Sequence, residues 1–328
     1  MKRRDLIGWI GGSVIVSQWP ALAQQTPLPV IGYLSARALT DSRDIIAAFQ
    51  RGLADVGFVD KQNVHIETRF AEGHFDRLPE LAADLVRLRV NVLVATGGTV
   101  TVIKAKPVVP PEIPIVFAMG GDPVKLGVVD SLNRPGDNIT GVSFLVNGLA
   151  AKSVELLHEL VPKATAIGFL VNPGDPNAEP DMQEVQLAAG AFGLNLVIAK
   201  ASNESQIDAA FANFGRQNVG GVVVDTEPFF ADQRERIVAL AARFRLPDVY
   251  QLSAFVTAGG LASYGTSIAD ANRQLGAYTG RILSGTKAGD LPVIQSSKFE
   301  LAINIKTAKT LGLDVPLVVI GRADEVIE

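Results

Sequence analysis

The chain has 328 residues and a formal charge of −4, with 34 acidic and 30 basic side chains, three histidines and no cysteine. That balance offers no basic footprint for nucleic acid or anionic lipid. The missing cysteines exclude a disulfide framework, a thiolate metal site, a cysteine nucleophile and a lipid-modified cysteine.

In chain order, Lys2-Arg3-Arg4 leads into an apolar stretch from Leu6 to Val16, a polar and proline break at Ser17 to Pro20, and Ala21-Leu22-Ala23. These are the three regions of a secretory signal ending in a small-x-small cleavage site. The apolar run is well short of the roughly 20 residues that span a bilayer. The Arg3-Arg4 pair fits a twin-arginine signal as well as an ordinary Sec n-region. Cleavage after residue 23 would carry away Lys2, Arg3, Arg4 and Asp5 and move the charge from −4 to −6. The expectation is a soluble periplasmic protein.

Strand-like runs follow at Val30–Ser35, Val64–Phe70, Val92–Thr96, Ile115–Ala118 and Ile139–Phe144. Val64, Ile66, Thr68 and Phe70 alternate with polar residues, which suits a strand near a sheet edge. The others are almost wholly apolar and suit central parallel strands. Between them Leu78, Leu81, Leu85 and Leu88 recur at helical spacing. The same plan then returns at Ala166–Val171, Leu194–Ala199, Val219–Val224, Pro247–Gln251 and Leu261–Tyr264, with Ile207 to Phe214 and Ile237 to Phe244 as amphipathic helices. Ile31-Gly32-Tyr33-Leu34 is answered by Ile167-Gly168-Phe169-Leu170, and Gly57-Phe58 by Gly193-Leu194, each 136 residues on (31 to 167, 57 to 193). Two similar α/β halves in tandem predict two lobes, each with a parallel sheet covered by helices, and a cleft between them. A helix over Ile268–Leu283, a strand near Phe299–Ile303 and a helix near Thr307–Leu311 fit neither half as a further repeat. A chain that crosses back to the first lobe and returns would account for them.

No nucleophile elbow, phosphate-binding loop, dinucleotide fingerprint or H-E-x-x-H occurs, and His65, His74 and His158 lack metal-ligand spacing. Polar and glycine-rich loops at strand ends remain, where open α/β sheets bind ligands. Thr96-Gly97-Gly98-Thr99 either holds a carboxylate at a helix N-terminus or forms a tight turn with Thr99 as N-cap. In Met119-Gly120-Gly121-Asp122-Pro123, Met119, Gly120 and Asp122 are ligand candidates, although Asp122-Pro123 also reads as a helix start. Ser35 ends the first strand of the first half, and Asn172 follows the first strand of the second. Of Asp225 and Glu227, one is expected to cap the next helix and the other to take a ligand's ammonium, with the lean toward Glu227. Phe229 would cover an apolar part or lie in the core, and Tyr264 stands equally between hinge site and core.

With those loops in view, the chain resembles ABC-transporter substrate-binding proteins of the type I periplasmic binding fold, in the family related to tryptophan- and tyrosine-binding lipoproteins. The likeness rests on the joint order of Ile31-Gly32-Tyr33-Leu34, Val94-Ala95-Thr96-Gly97, Ile115-Val116-Phe117-Ala118, Asp122-Pro123-Val124, Asn138-Ile139-Thr140-Gly141, Gly168 to Pro173, and Phe299 to Asn304 with Lys306-Thr307-Ala308. It implies an α/β fold of two Rossmann-like lobes with parallel sheets joined by hinge strands. The implied division is a signal at 1–23, a first lobe of 28–145 with 265–297, and a second of 146–264 with 298–328. The resemblance places ligand at Thr96, Gly97, Thr99, Asp122, Asn172, Glu227 and Tyr264. It implies a cofactor-free, non-enzymatic receptor, by default a monomer, that takes an amino acid or related small carboxylate, aromatic ones included, and presents it to an inner-membrane ABC permease. The chain departs from the family in lacking the lipoprotein cysteine and in the wording of Asp225-Thr226-Glu227. The competing readings are a secreted α/β enzyme acting on a small metabolite and a periplasmic sensory module.

Overall fold

The computed structural model describes residues 27–136, 138–144 and 148–328, so the expected signal at 1–23 lies outside the described residues. The first sheet is built from β1 (Val30–Ser35), β2 (His65–Phe70), β3 (Val92–Thr96), β4 (Ile115–Met119), β5 (Ile139–Ser143) and β11 (Ile294–Gln295). The second contains β6 (Ala166–Val171), β7 (Asn195–Lys200), β8 (Val222–Val224), β9 (Asp248–Tyr250), β10 (Ala262–Thr266), β12 (Phe299–Asn304) and β13 (Glu325–Ile327). The strand orders are 11-5-4-3-1-2 and 13-12-10-9-8-6-7. The first five strands of each half therefore stand in the same order, 2-1-3-4-5 and 7-6-8-9-10, as the sequence duplication predicts. Every pairing is parallel except β10 with β12. The fold is thus the two-lobed α/β architecture of periplasmic binding proteins.

Helices cover both faces of each sheet. They are α1 (Arg43–Ala54), α2 (Leu78–Arg87), α3 (Thr99–Ala105), α4 (Leu149–Leu160), α5 (Ala178–Ala191), α6 (Glu204–Arg216), α7 (Pro228–Asp232), α8 (Arg234–Phe244), α9 (Ser253–Thr257), α10 (Ile268–Leu283), α11 (Ile305–Leu311) and α12 (Leu317–Arg322). In α2, Leu78, Leu81 and Leu85 are buried as their spacing requires, whereas Leu88 lies just past the helix and is exposed. Asn203 caps α6 by accepting from Gln206 N at 3.0 Å, and Asn304 caps α11 by accepting from Thr307 N at 2.9 Å. The edge position read for the second strand holds, but β2 is half-buried along its whole length rather than alternating. An edge strand with one neighbour leaves both faces partly open.

After β10 the chain returns to the first sheet. α10 packs against α1 so closely that a Cβ on Gly52 would strike the Arg273 carbonyl and one on Gly276 the Phe49 carbonyl. It then adds β11 beside β5 and crosses again to β12. The crossings lie side by side: Ser296 N donates to Ser143 O at 2.9 Å, Thr266 Oγ1 to Phe144 O at 3.0 Å, and Ser267 N to Lys298 O at 2.9 Å. This arrangement brings the carboxyl ends of the two sheets face to face.

Candidate ligand site between the lobes

A cavity of about 70 Å³ lies between those carboxyl ends. A single water needs roughly 10–15 Å³ on the same measure, so the space takes a small organic molecule's worth of atoms. Most of its wall comes from residues just past strand ends: Arg37 after β1, Thr96 to Thr99 after β3, Gly120 after β4 and Phe144 after β5. The other lobe contributes Asp175 and Asn177 after β6, Thr226 and Glu227 after β8, Gln251 and Leu252 after β9, and Thr266 at the end of β10. Asp181, Asn272, Ile45, Leu149, Pro228, Ala231 and Ile268 reach it from helices.

On the first lobe, Gly97 has φ +81 and Gly98 φ +140, both in the region glycine tolerates best. A Cβ on Gly97 would collide with Ser35 Oγ and sit 3.2 Å from Arg37 Cγ, so the arginine stem lies along this turn. Arg37 is 9% exposed, and among the described residues its Nε has no hydrogen-bond partner. Burial lowers its pKa, opposed by the charges of Asp232 and Asp41. A guanidinium beside a backbone turn at the start of α3 makes a wall suited to a carboxylate.

The second lobe presents carboxyl groups instead. Burial pushes the Glu227 carboxyl up to about 8, with Asp175 adding to the rise and hydrogen bonds from Phe229 N, Phe230 N and Asn172 opposing it. Asp175 is raised to about 6 by burial. Asp181 is raised to about 7 by burial, then by Glu184 and Asp175. Asp225 is raised well above its usual value by burial and by Asp181 and Asp175. Among the described residues no lysine, arginine or histidine offsets the rise at any of these four carboxyls. Buried carboxyls without a cation hold their protons until a positive group arrives.

The lobes touch around the cavity. Thr99 Oγ1 accepts from Asn177 Nδ2 at 3.1 Å, and a Cβ on Gly98 would come within 2.6 Å of Pro228 Cγ. At the mouth, Ala38 N donates to Asp232 Oδ2 at 2.9 Å, and Arg234 pairs with Asp41 at 2.7 Å.

Of the residues singled out in the sequence, Thr96, Gly97, Gly98, Thr99, Gly120 and Glu227 line this cavity. Glu227 also caps α7, accepting from Phe229 N at 2.9 Å and Phe230 N at 2.5 Å, so capping and cleft position fall on one side chain rather than two. Asp225 sits beneath, accepting from Thr226 N at 2.8 Å. Ser35 and Asn172 are buried supports: Ser35 Oγ accepts from Arg37 N at 3.2 Å, and Asn172 Oδ1 from Gly174 N at 3.0 Å. Met119 belongs to the core of the first sheet. Asp122 caps its own turn through Val124 N and Lys125 N. Phe229 packs toward Gly73 at the rim, and Tyr264 stacks on Phe299 with centroids 6.0 Å apart, away from the cavity wall. Sequence reasoning passed over Arg37, Asp175, Asn177, Asp181, Gln251 and Asn272. Arg37, Asp175 and Asn177 lie two to six residues beyond strand ends, and following those loops further would have reached them. Among the described residues no group of three or more histidine, aspartate or glutamate side chains is arranged to hold a metal.

The model of the ABC transporter substrate-binding protein family matches residues 30–327, which takes in both sheets and all three crossings. The chain belongs to that family. It is a family of solute-binding proteins, not of enzymes. A tyrosine-binding protein of Clostridioides difficile is 25% identical over 268 residues, covering 81% of this chain and 75% of its own. A Streptococcus pneumoniae structure described as an ABC domain in complex with L-Trp superposes with a TM-score of 0.82 at 26% identity, over 92% of this chain and 100% of that one. A conserved domain protein from Vibrio cholerae superposes at 0.84 with 26% identity, over 91% and 99%. No helix among the described residues of this family member is long and apolar enough to cross a membrane.

Proposed function

We propose that the protein is the periplasmic receptor of an ABC importer and binds an amino acid, aromatic ones included, in the cavity between its lobes. The observation that carries this reading is the opposition of the two walls. Arg37 and the Thr96–Thr99 turn suit an α-carboxylate, while Asp175, Asp181 and Glu227 suit an α-ammonium. An amino acid supplies both charges at the short separation that a narrow cleft demands, and the tyrosine and tryptophan named for its relatives agree with this choice. Ligand that contacts both walls stabilises the closed arrangement over one in which the lobes part, with the three adjacent crossings as the hinge. The closed form of the secreted monomer is then the species its inner-membrane permease recognises.

The test is thermal unfolding of the ligand-stripped chain, lacking residues 1–23, against a panel of amino acids, aromatic acids, small organic acids and sugars. Ligand at about 100 times its Kd should add roughly 2.7 kcal/mol of stability. A shift confined to amino acids supports the reading. A shift only with sugars or with acids lacking an amino group overturns it. Turnover of the bound compound by the purified chain would replace it with a secreted enzyme.

A further inference from the structure

The strand orders fix how a zwitterion would lie. The carboxyl-bearing loops follow β6 and β8, and the Arg37 and Thr96–Thr99 wall follows β1 and β3. These loops meet across the cleft at Thr99 with Asn177 and at Gly98 with Pro228. An amino-acid head held there leaves its side chain only the remaining space, toward β9, β10 and β5 and the crossings. That end of the cavity is lined by Phe144, Leu149, Leu252 and Ile268, an apolar wall.

Among the described residues, one polar side chain of that region is left with a buried acceptor that has no partner. Thr266 donates to Phe144 O at 3.0 Å, and Asn272 donates to Ile268 O at 2.9 Å and accepts from Thr96 Oγ1 at 3.4 Å. Gln251 lines the cavity, is 5% exposed, and among the described residues its Oε1 has no hydrogen-bond partner. A buried carbonyl without a donor is a standing cost that a ligand relieves only if it brings an N–H or O–H.

We propose that Gln251 is a specificity-determining residue that selects a ligand side chain carrying a hydrogen-bond donor on an otherwise apolar ring, a phenol O–H or an indole N–H. This rests on the amino-acid reading of the cavity and sharpens it. A plain phenyl ring of the same size fills the apolar wall but strands the amide oxygen in a closed, dry site. A site built around a polar group rejects the analogue lacking it far more strongly than an apolar pocket rejects a missing methylene.

The experiment is isothermal titration of the ligand-stripped chain with two matched pairs, L-tyrosine against L-phenylalanine and L-tryptophan against 1-methyl-L-tryptophan. The wild-type protein should favour the donor-bearing member of at least one pair by about tenfold or more. Gln251→Leu should bring that ratio close to one, mainly by weakening the donor-bearing ligand, while Gln251→Glu, which keeps an acceptor, should retain a preference. Wild-type ratios below about threefold in both pairs overturn the proposal, as does a preference that survives in Gln251→Leu. The wild-type comparison decides even if a variant fails to fold. Amino acids that bind without discrimination refute only the role of Gln251, whereas failure of all four compounds and of the wider amino-acid panel refutes the amino-acid reading and this proposal with it.

Discussion

The two lobes share a strand order and differ in what they put at its edge. After β3 the first lobe carries Thr96-Gly97-Gly98-Thr99, a turn of backbone N–H groups and hydroxyls with the Arg37 guanidinium beside it. At the corresponding strand end, after β8, the second lobe carries Asp225-Thr226-Glu227-Pro228, with Asp175 and Asp181 contributed from the loop and helix after β6. The frame is therefore repeated, while the loops carry a guanidinium on one lobe and carboxyl groups on the other. On the proposed amino-acid reading, a symmetric scaffold with an antisymmetric site would orient a dipolar ligand, because only one direction satisfies both walls. Breaking either wall tests whether the opposition, and not the cavity's shape, holds the ligand.

The largest effect should come from the cationic wall. Arg37→Met keeps a stem of similar length along Gly97 but leaves the ligand carboxylate without its counter-charge in a buried site. Truncating one partner of a buried charge pair costs about 2–5 kcal/mol, roughly 30-fold to several thousand-fold in affinity. Titration calorimetry with the best-binding amino acid should show this loss. The matching amine that lacks the carboxylate should lose far less, since it never used Arg37. An equal loss for both compounds would mean that Arg37 acts on cleft shape.

The contact between the walls comes next. Gly98 holds φ +140 with Pro228 2.6 Å from where its Cβ would be. Gly98→Ala adds both backbone strain and a collision across the cleft, so it should lower stability by roughly 1–3 kcal/mol. Part of that cost should vanish if the lobes part. Small-angle scattering should then show a ligand-free variant more extended than the wild type. A variant with an unchanged radius and melting temperature would contradict this close approach.

The acidic wall predicts opposite pH trends for binding and for stability. Glu227, Asp181 and Asp175 are raised to about 8, 7 and 6, above the roughly 4 of an unfolded chain. The folded protein therefore holds more protons than the unfolded one across that interval. Its ligand-free stability is full below about pH 4 as far as these groups are concerned, and declines as pH rises toward 8. A ligand ammonium needs ionised carboxylates, so affinity should rise over the same interval, by at most tenfold per pH unit for each proton displaced. Denaturant titrations and calorimetry from pH 5 to 8.5 would measure both slopes. Glu227→Gln should flatten the upper part of each, and parallel trends for wild-type stability and affinity would count against the assignment.

How much of this was legible in the sequence differs between frame and site. The frame was written in apolar periodicity and repeated landmarks, so nine of the first ten strands were placed to within two residues; Val219–Val224 was too long at its start, because Gly220 and Gly221 are pressed against Ala164 and Leu157 before β8 begins. The short β11 and β13 carried no pattern of their own and exist through their neighbours, β5 and β12. At the site, Thr96 to Thr99 could be read because glycine and threonine at a strand end have few other uses. Gln251 could not, since it closes a run read as a strand and only tertiary burial sets it in the cavity wall, whereas Arg37 lay two residues past the first strand, within reach of that loop. Tyr264 illustrates the converse: read as ending its strand, it lies inside β10, and its ring stacks on that of Phe299, 35 residues on.

The smallest expected effect lies at the rim, where the walls meet outside the cavity. Arg234 reaches Asp41 at 2.7 Å with side chains 23% and 12% exposed, and Asp232 accepts from Ala38 N beside it. A partly exposed ion pair contributes up to about 1 kcal/mol and is screened by salt. Because Asp41 and Arg234 belong to different lobes, that energy counts only when the lobes are together, so it biases closure without touching ligand. Asp41→Asn should weaken ligand binding by no more than about fivefold, with the deficit shrinking at 0.5 M NaCl as screening removes what the wild type had gained. The faster dissociation of ligand seen in stopped-flow fluorescence should carry most of the change, since a latch that forms after entry affects escape more than encounter. A deficit that does not respond to salt would place the role of Asp41 in packing, and the bias toward closure would then rest on the cavity walls alone.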